Sequence, residues 1–76
     1  MYVYSFRIKF KNPFGTDSYF QGACATTEKV RMHDMIMVSD RNGNMSGTPA
    51  EVYQISRAGR PATEYSHIFV GVLPNG

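Results

Sequence analysis

Residues 2–11, with the sequence YVYSFRIKFK, place an aromatic or aliphatic side chain on every second position. Polar and basic side chains fill most of the positions between them. Because successive side chains of an extended chain point to opposite faces, this pattern predicts a strand with one aromatic face and one largely basic face. The aromatic face has to be buried by the rest of a short chain, so we expect the fold to be organised around this strand.

A second strand is predicted to pair with the first. Asn12-Pro13-Phe14-Gly15 has Pro and Gly at the positions that a type I turn prefers. Ser18 to Ala25 follows and ends in small residues, which leave room for the aromatic residues of the first strand. Residues 1–25 therefore predict an antiparallel hairpin.

Residues 26–44 admit two interpretations. The continuous apolar run from Met35 to Val38, followed by polar residues and Gly43, is typical of a buried strand that ends in a turn. A helix beginning at Thr26 or Thr27 and stopping at Gly43 is the alternative. We favour the strand and keep a helical 27–40 as the alternative.

The segment after residue 47 carries signals of a helix. Thr48 and Glu51 have the spacing of a capping box, and Pro49 suits the first helical position. Val52 and Ile55 then stand three residues apart, as on one face of a helix. We predict a short helix from Pro49 to about Ala58.

The chain is predicted to close with a strand over residues 63–73, which is apolar on both faces and therefore suits a central or covered position. The prediction is a single α+β domain over residues 1–76, in which one short helix packs on a small antiparallel sheet of about four strands in the order β-β-β-α-β. A mainly-β small barrel is the alternative.

The composition of the chain indicates its cellular compartment and limits the kinds of partner that can be expected. The chain has 76 residues, a net charge of +2 and one cysteine, Cys24. So small a charge does not by itself indicate nucleic acid or anionic lipid, and a lone cysteine fits a reducing compartment. With no apolar run of the length of a leader or a membrane span, we expect a cytoplasmic protein without membrane association.

Few residues suit catalysis or metal binding. His33 and Asp34 are neighbours in sequence, but on a strand they would point to opposite faces, and His67 has no partner at a metal-ligand spacing. Nothing cationic surrounds Cys24, so we interpret it as a small core residue. We predict no catalytic residue, no metal, no cofactor and no enzymatic activity.

The basic residues of the first strand are the candidate binding surface. Arg7, Lys9 and Lys11 are spaced by two and would line one face at intervals of about 7 Å, near the phosphate spacing of a nucleic-acid strand. Arg57 and Arg60 form a second basic group that would reinforce the row if the fold brought the two together. A solvated face is the simpler interpretation of such a row.

A chain this short, without cofactor motifs, is better suited to presenting a surface than to enclosing a substrate. We therefore expect a small non-catalytic binding protein that acts through a protein–protein surface, such as the regulators and inhibitors that mobile elements encode. The alternative is a nucleic-acid-binding domain that uses the basic strand face, and a small basic nuclease is a third. The partner is expected to be a macromolecule, with protein favoured over nucleic acid, and the chain a monomer or a homodimer.

Overall fold

The computed structural model describes residues 1–45, 48–57 and 59–74. Five strands run through these ranges, and they are numbered in chain order. Their bounds are β1 Tyr2–Lys11, β2 Asp17–Thr26, β3 Met35–Ser39, β4 Ala50–Arg57 and β5 Ile68–Val72. A three-residue 3-10 turn, Ala62–Glu64, precedes β5, and the described ranges contain no α-helix.

The strands form one open antiparallel sheet in the order β2-β1-β4-β3-β5. The predicted α+β class, with the order β-β-β-α-β, is therefore wrong, and the fold is all-β. The small barrel is not formed either, because no ladder joins β5 to β2 within the part of the chain that the structure describes.

The β1–β2 hairpin is confirmed, and β2 is one residue longer at each end than predicted. Its ladder is continuous from the pair Tyr2–Thr26 to the pair Lys11–Asp17. Every aromatic residue at an even position of β1 thus falls on one face of the sheet, as the alternation requires.

The core lies on the face of the sheet that carries those aromatic residues. Tyr4 and Phe6 are almost completely buried there, and the residues opposite them on β2 are Cys24 and Gly22. Small residues of β2 do therefore make room for large residues of β1, and Cys24 is a buried core residue as predicted. The central strands complete the cluster with aliphatic side chains: Ile36, Val38, Ala50 and Val52.

The loop between β2 and β3 closes one end of this core. Val30 is buried in it, and the Tyr4 hydroxyl both accepts from the Val30 N–H at 2.9 Å and donates to the Glu28 carbonyl at 2.6 Å. The helical alternative for residues 27–40 is wrong, because this loop leads directly into β3. The strand predicted from the apolar run at 35–38 is confirmed.

Residues 50–57 form β4, where the sequence predicted a helix. Val52 lies opposite Phe6 and Ile55 lies opposite Tyr4, so both are on the core side of the sheet although they are three residues apart. A bulge causes this spacing, because the register shifts between Ser5 and Phe6 and leaves one extra residue on β4. The three-residue spacing of Val52 and Ile55, which suggested a helix, is therefore produced by a bulged strand. The residue types of this segment agree with that, because Val, Tyr and Ile favour strands.

The last strand is shorter than predicted and lies elsewhere in the sheet. Among the described residues β5 pairs with β3 alone and occupies an edge, so the central position predicted for residues 63–73 is wrong. Residues 62–67 form the 3-10 turn and bends instead of strand.

These bends tie the two edges of the sheet together at one point. The His67 N–H donates to the Ala23 carbonyl at 3.1 Å, and the Ala23 N–H donates to the Ser66 Oγ at 3.0 Å. The His67 ring packs edge-on against Phe6 and Phe20, with centroids 5.1 and 5.6 Å apart. The sheet is therefore curled, with the start of β5 held against the edge of β2.

Candidate interaction surface on the hairpin arm

The β1–β2 hairpin extends beyond the rest of the sheet. β4 pairs with β1 only as far as Arg7, so the later residues of β1 have no strand partner except β2 among the described residues. We call residues 8–20 the arm. The molecule measures 38 × 28 × 18 Å, which is elongated for its size.

One face of the arm is apolar. Ile8 lies opposite Phe20 in the ladder, and both are on the same side of the sheet as the core. Ile8 still packs against the core, but Phe10 and Phe20 are 47% and 51% exposed because no other strand covers this part of the sheet. The arm thus continues the apolar face of the core into solvent.

The tip of the arm carries the most exposed large apolar side chain of the described residues. Phe14 lies in the turn between β1 and β2 and is 90% exposed. A phenylalanine in this position gains almost nothing from burial within its own chain.

The turn that carries Phe14 is held by a network centred on Asn12. The Asn12 Oδ1 accepts from the Phe14 N–H at 2.9 Å and from the Thr16 N–H at 3.2 Å. The Asn12 Nδ2 donates to the Thr16 Oγ1 at 2.6 Å and to the Ser18 Oγ at 3.0 Å. Gly15 adopts φ +79°, a conformation that glycine adopts without strain. The backbone under Phe14 is therefore well defined, although its side chain is in solvent.

The opposite face of the arm, together with Arg7 just before it, carries the predicted basic row. Arg7, Lys9 and Lys11 lie on this face, and the structure adds Tyr19, whose ring centre is 5.0 Å from the Arg7 guanidinium carbon. Acidic residues are present as well. The Asp17 carboxylate is 3.2 Å from Lys9 Nζ and 3.0 Å from Lys11 Nζ.

A second carboxylate, that of Glu51, partners the Arg7 end of the basic row. The Glu51 carboxylate is 3.0 Å from Arg7 Nε and 3.1 Å from His33 Nδ1. The hydrogen bond from His33 and that from Arg7 hold the pKa of Glu51 below its usual value, as Lys11 and Lys9 do for the pKa of Asp17. The row is thus a set of exposed ion pairs with a modest excess of positive charge, and such pairs contribute little to stability.

The second basic group does not join the first. Arg57 lies opposite Tyr2, at the other end of β1 and on the core side of the sheet. At about 3.3 Å per residue, the path along β1 from this position to Lys9 is about 23 Å. Arg60 is exposed three residues beyond Arg57. The structure therefore brings Arg7, Lys9 and Lys11 together and leaves Arg57 and Arg60 apart from them.

The residues considered for catalysis are dispersed. His33 binds Glu51, whereas the Asp34 carboxylate accepts from the Arg31 N–H at 3.1 Å, so the two neighbours do not form a pair. Burial raises the pKa of the Cys24 thiol to about 11. Within residues 1–45, 48–57 and 59–74 no pocket opens, and no three His, Cys, Asp or Glu gather where they could hold a metal ion.

Sequence reasoning missed the phenylalanines of the arm. Phe10 was assigned to a buried face, and Phe14 was treated only as part of a turn. A signal was present, because the alternation of β1 continues to Lys11 and the turn itself contains a large apolar residue. The sequence did not show that β4 pairs with β1 only as far as Arg7, so the exposure of Phe10 was not predicted.

Comparison with protein-family models, characterised proteins and solved structures finds no match to this chain. No helix among the described residues is both long and apolar enough to cross a bilayer.

Proposed function

We propose that this chain is a small non-catalytic binding protein of the regulator or inhibitor type, and that it docks its arm on a protein partner. The observation that carries this proposal is Phe14, 90% exposed on a turn fixed by the hydrogen bonds of Asn12.

A fixed turn lowers the entropic cost of binding through Phe14. Association normally loses affinity when loops and side chains become ordered at the interface, and a turn that is already ordered avoids much of that loss. Large side chains that fill a pocket supply most of the binding energy of many interfaces. Phe14 has the position and support of such an anchor.

The neighbouring apolar residues extend the surface available to a partner. Phe10 and Phe20 are about half exposed on one side of the arm, next to the partly buried Ile8. Contiguous exposed apolar patches on small proteins usually mark interaction sites, because their exposure is otherwise unfavourable. The absence of a pocket in the described residues also fits a protein that presents a surface.

The proposal is tested by capture from a lysate of the native host on three immobilised chains. These are the parent, Phe14→Ser, and the control Met32→Ser, which changes a 46% exposed side chain in the β2–β3 loop. We expect at least one protein to be retained by the parent and the control and to be lost from Phe14→Ser. Identical sets of proteins on all three chains would contradict the proposal.

Nucleic-acid binding through the basic face is the second candidate, and one observation favours it. Tyr19 is exposed on the same face as Arg7, Lys9 and Lys11, where it can stack on a base. Asp17 and Glu51 lie among those cations and oppose contact with phosphates, so we rank this function second.

Salt dependence tests this second candidate. If duplex DNA binds through the three cations, replacing all of them by Gln should flatten the slope of log affinity against log salt by roughly 2.7 units. If neither the parent nor the variant binds duplex DNA or single-stranded RNA at low salt, the second candidate is wrong.

A further inference from the structure

The arm carries a net positive charge. The whole sequence has eight basic and six acidic residues, a net charge of +2. Residues 8–20 contain two of the basic residues, Lys9 and Lys11, and one of the acidic residues, Asp17, so the arm has a net charge of +1. Arg7, just before the arm, is paired with Glu51.

The arm itself retains an unbalanced cation. Lys9 and Lys11 share one carboxylate, that of Asp17, so two positive charges face a single negative one. Both lysine side chains are well exposed, and they lie on the face of the arm opposite Phe10 and Phe20. A partner cleft that receives the tip of the arm at Phe14 therefore meets an excess of positive charge along one of its walls.

We propose that the partner surface is an apolar cleft rimmed by carboxylates, into which Phe14 inserts while Lys9 and Lys11 face the acidic rim. This inference rests on the proposed function and names the chemistry of its partner. Opposite charges at the rim of an interface accelerate association and exclude partners of the wrong sign, while the apolar centre supplies the affinity.

A protein with a few carboxylates fits this arm better than duplex DNA or an anionic bilayer does. Duplex DNA and anionic bilayers present many closely spaced phosphates, which call for several unpaired cations, whereas Asp17 lies within 3.2 Å of both lysines of the arm. A protein cleft can place a few carboxylates beside the lysines and keep apolar groups opposite the phenylalanines.

The test is a selection from a random peptide library displayed on phage, with the parent chain as bait and Phe14→Ser as the counter-selection. We expect the Phe14-dependent peptides to combine aromatic or aliphatic residues with an excess of Asp and Glu. Phe14-dependent peptides without an acidic excess would overturn this inference and leave the proposed function standing. Recovery of no Phe14-dependent peptide would count against both.

A charge-reversed arm provides the matched comparison. The variant Lys9→Glu, Lys11→Glu, Asp17→Lys preserves the opposite-charge pairs and changes the net charge from +2 to 0, since −2 − 2 + 2 = −2. Lys29→Glu makes the same change in net charge outside the arm. We expect the selected peptides to bind the charge-reversed arm about tenfold more weakly and to bind Lys29→Glu like the parent.

Two further probes decide between classes of partner. Vesicles that contain phosphatidylserine and a generic duplex DNA are titrated with the parent and with Phe14→Ser. We expect neither probe to bind at physiological salt. Phe14-dependent binding to either one, or equal weakening of peptide binding by the charge-reversed arm and by Lys29→Glu, would overturn the inference.

Discussion

The ring of His67 occupies the space that a side chain on Gly22 would need. A Cβ added to Gly22 would stand 2.8 Å from the His67 Nδ1, and also 2.9 Å from the Cζ of Phe6. Gly22 on the edge strand β2 has no side chain. The bend that precedes β5, the other edge strand, can therefore pack on the aromatic core.

Gly22→Ala should therefore destabilise the fold. Because the added methyl group must displace either the His67 ring or the buried Phe6 ring, we expect a loss of about 1–3 kcal/mol in the free energy of unfolding. For a domain of this size each kcal/mol corresponds to a fall of roughly 4–8 °C in the melting temperature. Gly59→Ala is the control, because its added Cβ would have no atom of the described residues within 4 Å apart from its immediate chain neighbours. Equal melting temperatures for the two variants would contradict the packing described.

Tyr4→Phe should weaken the closure of the core by the β2–β3 loop. The Tyr4 hydroxyl is the acceptor for the N–H of the buried Val30 and donates to the Glu28 carbonyl. Its removal leaves a buried donor unsatisfied, which costs about 1–3 kcal/mol. Urea unfolding measures this loss, with Tyr2→Phe as the control, since the Tyr2 hydroxyl has no hydrogen bond within the described residues. A loss no larger than that of the control would show that the loop does not depend on this contact.

The strands that the sequence predicted correctly are those whose pattern is regular. β1 has an aromatic or aliphatic side chain at every second position over ten residues, and the turn after it has Pro and Gly in suitable positions. β3 was recognised from a short apolar run. In each of these cases the local pattern and the final environment agree, so no tertiary information was needed.

β4 was misread because its bulge breaks the alternation. Val52 and Ile55 both lie on the core side, and the extra residue between them produces the spacing of a helix. Thr48, Pro49 and Glu51 reinforced that error, because a capping box can occur by chance before a strand. β5 was placed centrally because its apolar residues suggested full coverage, whereas in the structure it is a partly exposed edge. Both outcomes depend on strand pairing, which a local pattern does not specify.

Stability should fall in acid through Glu51. The hydrogen bonds from His33 and Arg7 hold its pKa below the usual 4.5, so its contribution to stability is complete above that pH and is lost as pH falls through the folded-state pKa. We expect the urea midpoint of the parent to decline slightly as the pH falls below about 4.5. Glu51→Gln should show a smaller decline, with the remainder due to other carboxyls such as Asp17, whose pKa is also lowered. The same decline in both proteins would mean that Glu51 has no such role.

Cys24 should be inert in the folded protein. It is completely buried, and burial raises the pKa of its thiol to about 11, so little reactive thiolate exists near neutral pH. Alkylation by iodoacetamide at about pH 8, followed by mass spectrometry, should be on the order of a hundredfold slower than in the urea-unfolded chain. Comparable rates in the two states would show that the thiol is accessible and would reopen a chemical role for it.

The candidate surface was predictable only in part. The basic row could be placed on one face of β1, because alternation fixes the direction of Arg7, Lys9 and Lys11. The pairing of Lys9 and Lys11 with Asp17 depends on the hairpin register, and the separation of the row from Arg57 depends on β4 being a strand. The exposure of Phe10 and Phe20 follows from the end of the β1–β4 ladder at Arg7, which no pattern within the hairpin reveals.

The most direct measurement of the central claim is the affinity of Phe14→Ser for a protein that the parent chain captures. Isothermal titration calorimetry with the purified partner should give a Kd about 30-fold weaker than that of the parent, as expected for an anchor that contributes about 2 kcal/mol. Met32→Ser should bind like the parent, and both variants should keep the melting temperature of the parent, because both positions are exposed. A Kd for Phe14→Ser equal to that of the parent would contradict the claim that the arm is the binding element.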